Sequence, residues 1–237
     1  MLAGFVDSIA GGGGLITLPA LLWTGMPPGL ALGTNKLQAA FGATVACVRY
    51  LRGGLIQRPG LLLGVSLSFS LSACGSYWVT RIDAQRLGPL IPWVLLAVGL
   101  YTWWKPDLGK EARPPRMRIS LFAGVFGVGL GFYDGCFGPG TGSFWMTACV
   151  LFRGMDFAAA AGFTKAMNLA SNLGALAVFL ATGAVDYRCG LMMAAGQLVG
   201  ASLGSGIVLR RGAAWVRPVF LSIVFAVVLK LIWTYWV

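Results

Sequence analysis

No histidine occurs in the 237 residues. Ser-His-Asp and Cys-His catalysis are thereby excluded, along with the common imidazole metal sites. Acidic residues are scarce too: there are seven, against 18 lysines and arginines, and charged residues of all kinds make up only 11%. A soluble domain of this length needs far more polar surface. The five cysteines (47, 74, 136, 149 and 189) have no CxxC spacing, and four sit in apolar segments. They read as small core residues rather than a disulfide set or metal site. No Walker A motif is present, so direct ATP drive is not expected within the chain. The N-terminus has no basic region or cleavage site and does not read as a signal peptide. Gly200-Ala201-Ser202-Leu203-Gly204 matches a nucleophile-elbow spelling but has no base to serve it. With Gly196 it reads better as a small-residue ladder for close helix packing, matched by Ser68, Ser72 and Ser76.

What is present is apolar. Hydrophobic residues make up 57%, and the mean hydropathy is +0.79. Runs near 32–48, 60–79, 87–104, 157–181, 189–209 and 219–237 are long enough, or nearly so, to cross about 30 Å of hydrocarbon. The alternation of barrel strands is missing, so the expected fold is an all-α, polytopic helical membrane protein. The net charge of +11 therefore points to lipid head groups and helix orientation, not to nucleic acid.

The chain also says one unusual thing twice. Asp7 precedes the run Gly11 to Gly14, and Asp134 precedes Gly138-Pro139-Gly140-Thr141-Gly142. Each glycine loop is followed by an apolar stretch and then by a lysine inside another one, Lys36 and Lys165. A shift of 129 residues aligns 25–104 with 154–233 without a gap, and about a quarter of the pairs are identical, among them Gly33/Gly162, Lys36/Lys165, Gly75/Gly204 and Arg81/Arg210. This predicts two repeats, 1–104 and 119–237, joined by a cytoplasmic linker over 105–118. Met1 aligns with Val128 under the 127-residue offset that holds before the glycine loops, so the first helix is expected to lack opening residues.

Basic residues set the orientation. If each glycine loop turns the chain back, twelve lysines and arginines fall on one side, against Arg81, Arg86 and Arg188 on the other. That asymmetry is the one the positive-inside rule requires. Each repeat then holds a glycine-broken hairpin plus three crossings, an odd arrangement that inverts the second copy relative to the first. Inverted repeats are a recurrent basis for alternating access.

Lys36, Lys165, Asp7 and Asp134 are the charges within apolar surroundings that need a reason, because ionised groups in a bilayer are expensive. Lys230 lies near the C-terminal interface and can snorkel. Two readings stay open for the four. The aspartates pair with the lysines or cap helix ends and pin the bundle. Alternatively, the lysines face a cavity and attract an anion, while the helices starting near Leu15 and Ser143 aim N–H groups at it. In that reading Gly12, Gly13, Gly14, Gly140 and Gly142 let backbone approach the anion. Thr17, Thr34, Asn35, Gln38, Ser143, Thr164, Asn168 and Asn172 are the hydrogen-bonding candidates. Asp7 and Asp134 then orient the lysines or carry coupling protons. No metal site or cofactor is expected.

The stretch from Gly4 to Gly14, Leu32-Gly33-Thr34-Asn35-Lys36-Leu37-Gln38, Gly131-Phe132-Tyr133-Asp134-Gly135, Gly138-Pro139, Thr164-Lys165 and Asn168-Leu169-Ala170-Ser171-Asn172 together resemble the TauE/SafE family. That resemblance implies a multi-pass protein of the bacterial inner membrane, exporting sulfite, sulfoacetate or related organosulfur anions. The partners expected are a small anion, the bilayer, a coupling proton or cation, and a second copy in a homo-oligomer. A cation or metal transporter using Asp7 and Asp134, an anion channel, and a membrane enzyme or scaffold are the competing readings.

Overall fold

The computed structural model describes residues 1–56, 58–82, 93, 96–97 and 112–211. Most of the apolar run at 87–104, the run at 219–237, the first half of the 105–118 linker, and Lys230 lie outside the described residues. Among the described residues the chain forms eight helices and no strand. The helices are α1 (Leu2–Ala10), α2 (Gly14–Trp23), α3 (Pro28–Arg52), α4 (Leu61–Val79), α5 (Ile119–Cys136), α6 (Thr141–Arg153), α7 (Phe157–Ala181) and α8 (Tyr187–Arg211). Of these α4, α5 and α8 are long and apolar enough to cross a membrane. The expected runs at 32–48, 60–79, 157–181 and 189–209 fall in α3, α4, α7 and α8.

Local chemistry sets the boundaries. Pro28 opens α3, where its fixed φ fits a first turn and its missing N–H costs nothing. Asp156 caps α7 by accepting from the Ala159 amide at 2.9 Å. The two breaks fall where the glycines are: Gly11 and Gly12 (φ 71° and 106°) separate α1 from α2, and Gly138 and Gly140 (φ 88° and 83°) separate α5 from α6. Side chains with a Cβ rarely adopt such φ values, so the glycines interrupt the helix at both places.

Close packing fixes the relative directions. α3 and α7 are antiparallel: Gly33 lies against Phe179 and Ala184, while Gly162 lies against Leu55. α8 runs parallel to α3, with Gly190 against Leu37 and the Arg49 guanidinium donating to the Ser202 carbonyl at 2.6 Å. α7 runs parallel to α4, where Ser68 reaches the Met167 sulfur and Ser72 donates to the Ser171 carbonyl at 2.7 Å. The outer contacts repeat the theme. Gly127, Gly131 and Gly135 of α5 meet Leu67, Ser68 and Ser72 of α4, and Gly200 and Gly204 of α8 meet Met1 and Phe5 of α1. The small-residue ladders thus bring backbones together, as interfaces in lipid require. Each half lends its α4-type helix to the other half's opening helix. At the second break the chain turns back, because α6 is antiparallel to α7, with Gly142 against Asn168 and Trp145 against Phe163.

Candidate functional site

The two glycine breaks meet each other. A Cβ on Gly142 would stand 2.5 Å from the Gly11 Cα, and one on Gly11 would strike Gly142 in return. Only glycine at both positions allows this backbone approach. Behind the contact lie α3 and α7, the two helices that carry the buried lysines.

Both lysines are paired, and the pairing crosses between halves. Lys36 of α3 reaches Asp134 at the end of α5, with Nζ 2.7 Å from Oδ1, and also donates to the Asp134 carbonyl. Lys165 of α7 reaches Asp7 of α1, with Nζ 2.9 Å from Oδ2. Each lysine is only 1% exposed. A buried charge without a partner is strongly unfavourable, so each lysine demands its aspartate. The remaining carboxylate oxygens are also occupied. Asp7 Oδ1 accepts from the Gly12 and Gly13 amides at 3.1 and 3.0 Å. Asp134 accepts from Thr141 Oγ1 at 3.2 Å and, through Oδ2, from Ser171 Oγ.

The loop amides of Gly12 and Gly13, expected to face a substrate anion, thus hold a carboxylate of the protein itself. An extended loop before a helix start is an anion site by construction, and here Asp7 is the resident anion.

A small polar cavity opens at this junction. Of the residues singled out from sequence, Asp7, Asp134, Lys36, Asn35, Gly12, Gly14, Gly142, Asn168 and Asn172 line it. Gln38 and Thr17 sit one layer back: Gln38 Nε2 donates to Asn35 Oδ1 at 2.8 Å, and Thr17 Oγ1 bonds the same oxygen. Asn172 Nδ2 donates to the Asn168 carbonyl at 2.7 Å. Among the described residues, the side-chain oxygen of Asn168, which lines the cavity, is buried with no hydrogen-bond partner, as is that of Gln38 one layer back. Lys165 is absent from the lining and lies behind Asp7.

Other expected residues have different tasks. Thr34 accepts from the Asp186 amide at 2.9 Å and ties α3 to the turn before α8. Gly13 holds Asp7, Gly140 gives α6 its left-handed cap, and Ser143 is buried with its carbonyl bonded to Thr147. Thr164 is buried in α7 but does not line the cavity. Ala39, Gly138 and Thr141 line the cavity without having been singled out, and Ser171 holds Asp134. Ser171 has a readable signal. It stands three residues after Asn168 and seven after Thr164, on one face of α7. Among the described residues no cluster of His, Cys, Asp and Glu could hold a metal ion, and all five cysteines are free thiols.

The family profile of the sulfite exporter TauE/SafE matches residues 1–231. A "Probable membrane transporter protein" of Haemophilus influenzae is 42% identical over 232 residues, covering 98% of this chain and 91% of that protein. "Probable membrane transporter protein YfcA" of Escherichia coli is 40% identical over 233 residues, covering 98% and 87%. "Sulfite exporter TauE/SafE family protein 5" of Arabidopsis thaliana is 33% identical over 85 residues, 35% of this chain and 19% of that one. No solved structure matches. The chain belongs to the TauE/SafE family of membrane transporters.

Proposed function

Given that membership, we propose that the chain is a secondary transporter exporting small anions, sulfite or organosulfonates such as sulfoacetate, across the bacterial inner membrane. The observation that carries the reading is the crossed pair of buried ion bridges, Lys36–Asp134 and Lys165–Asp7, at the meeting of two glycine breaks. An anion leaving water loses its hydration, and positive charge with N–H and amide donors must replace it. Lys36, Asn35, Asn168 and Asn172 are the cavity groups able to do so.

Two inverted repeats supply the motion in this account. The antiparallel course of α3 against α7, and the exchange of α4 and α8 between halves, support a pseudo-two-fold axis in the membrane plane. Rocking of one half against the other then exposes the junction to each side in turn. A cation reading based on Asp7 and Asp134 has less support, since both carboxylates already hold an ammonium. The test is flux into proteoliposomes of sulfite, sulfoacetate, sulfate and divalent metal ions. Saturable movement of the sulfur anions, with none for the metals, is expected. Metal flux without anion flux overturns the reading, and conductance that does not saturate replaces the carrier with a channel.

A further inference from the structure

The junction is electrically balanced before any substrate arrives. Its ionisable groups among the described residues are Asp7, Asp134, Lys36 and Lys165, joined as two ion pairs. Adding an anion to a balanced, poorly hydrated site is unfavourable unless a carboxylate gives up its charge at the same time. The two carboxylates are not equivalent. The Asp134 side chain is 4% exposed and is held by Lys36, Ser171 and Thr141. The Asp7 side chain is 17% exposed and is held by Lys165 and two loop amides. Ser171 corresponds to Gly42 under the 129-residue shift, and Thr141, at a helix start, corresponds to Gly14 under the 127-residue offset, so neither hydroxyl has a counterpart in the first half.

We propose that binding of an anion is coupled to uptake of one proton by Asp7, while Asp134 stays paired with Lys36. This rests on the anion-transport reading above and names the coupling ion and its residue. An O–H bond forms on the Asp7 carboxyl with a proton given up by hydronium or the buffer acid, and the ion pair to Lys165 is released. Asp7 stands between Lys165 and the cavity, so its neutralisation uncovers the ammonium for the incoming anion. One proton and one monovalent anion enter together, and the junction remains neutral.

The surroundings of Asp7 are consistent with this from every element packed on α1. Lys165 faces it from α7, and Asp134 shares the cavity from α5. α3 contributes Lys36 across the cavity, Cys47, Arg49 bonded to the Ser202 carbonyl, and Tyr50, whose hydroxyl donates to the Ser8 carbonyl at 2.6 Å. α2 has no ionisable side chain, and α6 has only Cys149 and Arg153. The ionisable residues of α8 are Tyr187, Arg188, Cys189, Arg210 and Arg211, all at its ends.

The test is calorimetric titration of the full chain in detergent with methanesulfonate and sulfoacetate, in buffers of different ionisation enthalpy. Methanesulfonate is a monovalent strong-acid anion, so any proton taken up with it goes to the protein, and the proton count is read from this ligand; sulfoacetate carries a second, carboxylate charge and serves as the binding control. Wild type is expected to take up about one proton per anion, with affinity weakening towards tenfold per pH unit where uptake is complete. Asp7→Asn should bind with no proton uptake and a flat pH profile. Anion binding by wild type without proton uptake overturns the proposal even if the variant fails to fold. Undiminished uptake in Asp7→Asn overturns the assignment to Asp7. Failure of both sulfonates to bind wild type overturns the anion reading itself, and this proposal with it.

Discussion

At the residue scale, the account depends on four charges and on which of them are replaceable. Removing one member of a buried pair leaves its partner uncompensated, a cost of about 3–5 kcal/mol. Lys36→Met and Asp134→Asn are therefore each expected to lower the detergent melting temperature. The double variant Lys36→Met/Asp134→Asn should recover most of that loss and still fail to transport. If it transports normally, the pair is only a structural pin. Arg at 36 or 165 should not restore full function, because its planar fork differs from a compact ammonium; affinity equal to wild type would refute that. Much of this scale was legible in the sequence. Lysines and aspartates at equivalent places within apolar runs announce buried charge. That the aspartates pair with the lysines was one of the two readings, but which aspartate takes which lysine was not legible, because each lysine joins the aspartate of the opposite half, and a linear reading contains no distance between halves. Nor did spacing show that the Gly12 and Gly13 amides are occupied by Asp7, since an expectation of free N–H groups ignores a carboxylate folding back from the helix before them.

At the element scale, the two helix breaks do most to place the site. Glycine runs marked them in the sequence, and the helix starts at Gly14 and Thr141 fall within about two residues of those expected. Their mutual contact is a tertiary fact with no local signature. Gly142→Ala is expected to destabilise strongly and abolish transport, because its Cβ would overlap Gly11 and crowd Asn168. Gly129→Ala, in the interior of α5 with nothing within 4 Å of a new Cβ, should be neutral or stabilise by up to about 1 kcal/mol. Thermal melts of the two purified variants check this, and equal melting temperatures would contradict it. α1 has nine residues where its counterpart α5 has eighteen.

At the scale of the whole molecule, the proposed topology can be tested directly. The positive-inside rule predicts that the connection before α5 lies on the cytoplasmic side. The antiparallel course of α3 and α7 then carries Thr182 to the opposite face. Cysteines introduced singly at Arg116 and Thr182, both exposed, in a background without native cysteines should label with an impermeant reagent from opposite sides of the membrane. Labelling from one side would reject the inverted arrangement.

The central claim is that Lys36 and Lys165 provide the charge that holds the anion. Its most direct test is the affinity of folded, detergent-purified protein for sulfite and sulfoacetate, wild type against Lys36→Met/Lys165→Met. A lost charged hydrogen bond is worth about 1–3 kcal/mol, so each lysine should contribute roughly a fivefold to hundredfold loss, and the double variant should bind too weakly to measure. Unchanged affinity in a double variant that melts as wild type does would place the anion elsewhere and leave both lysines as structural partners of the aspartates.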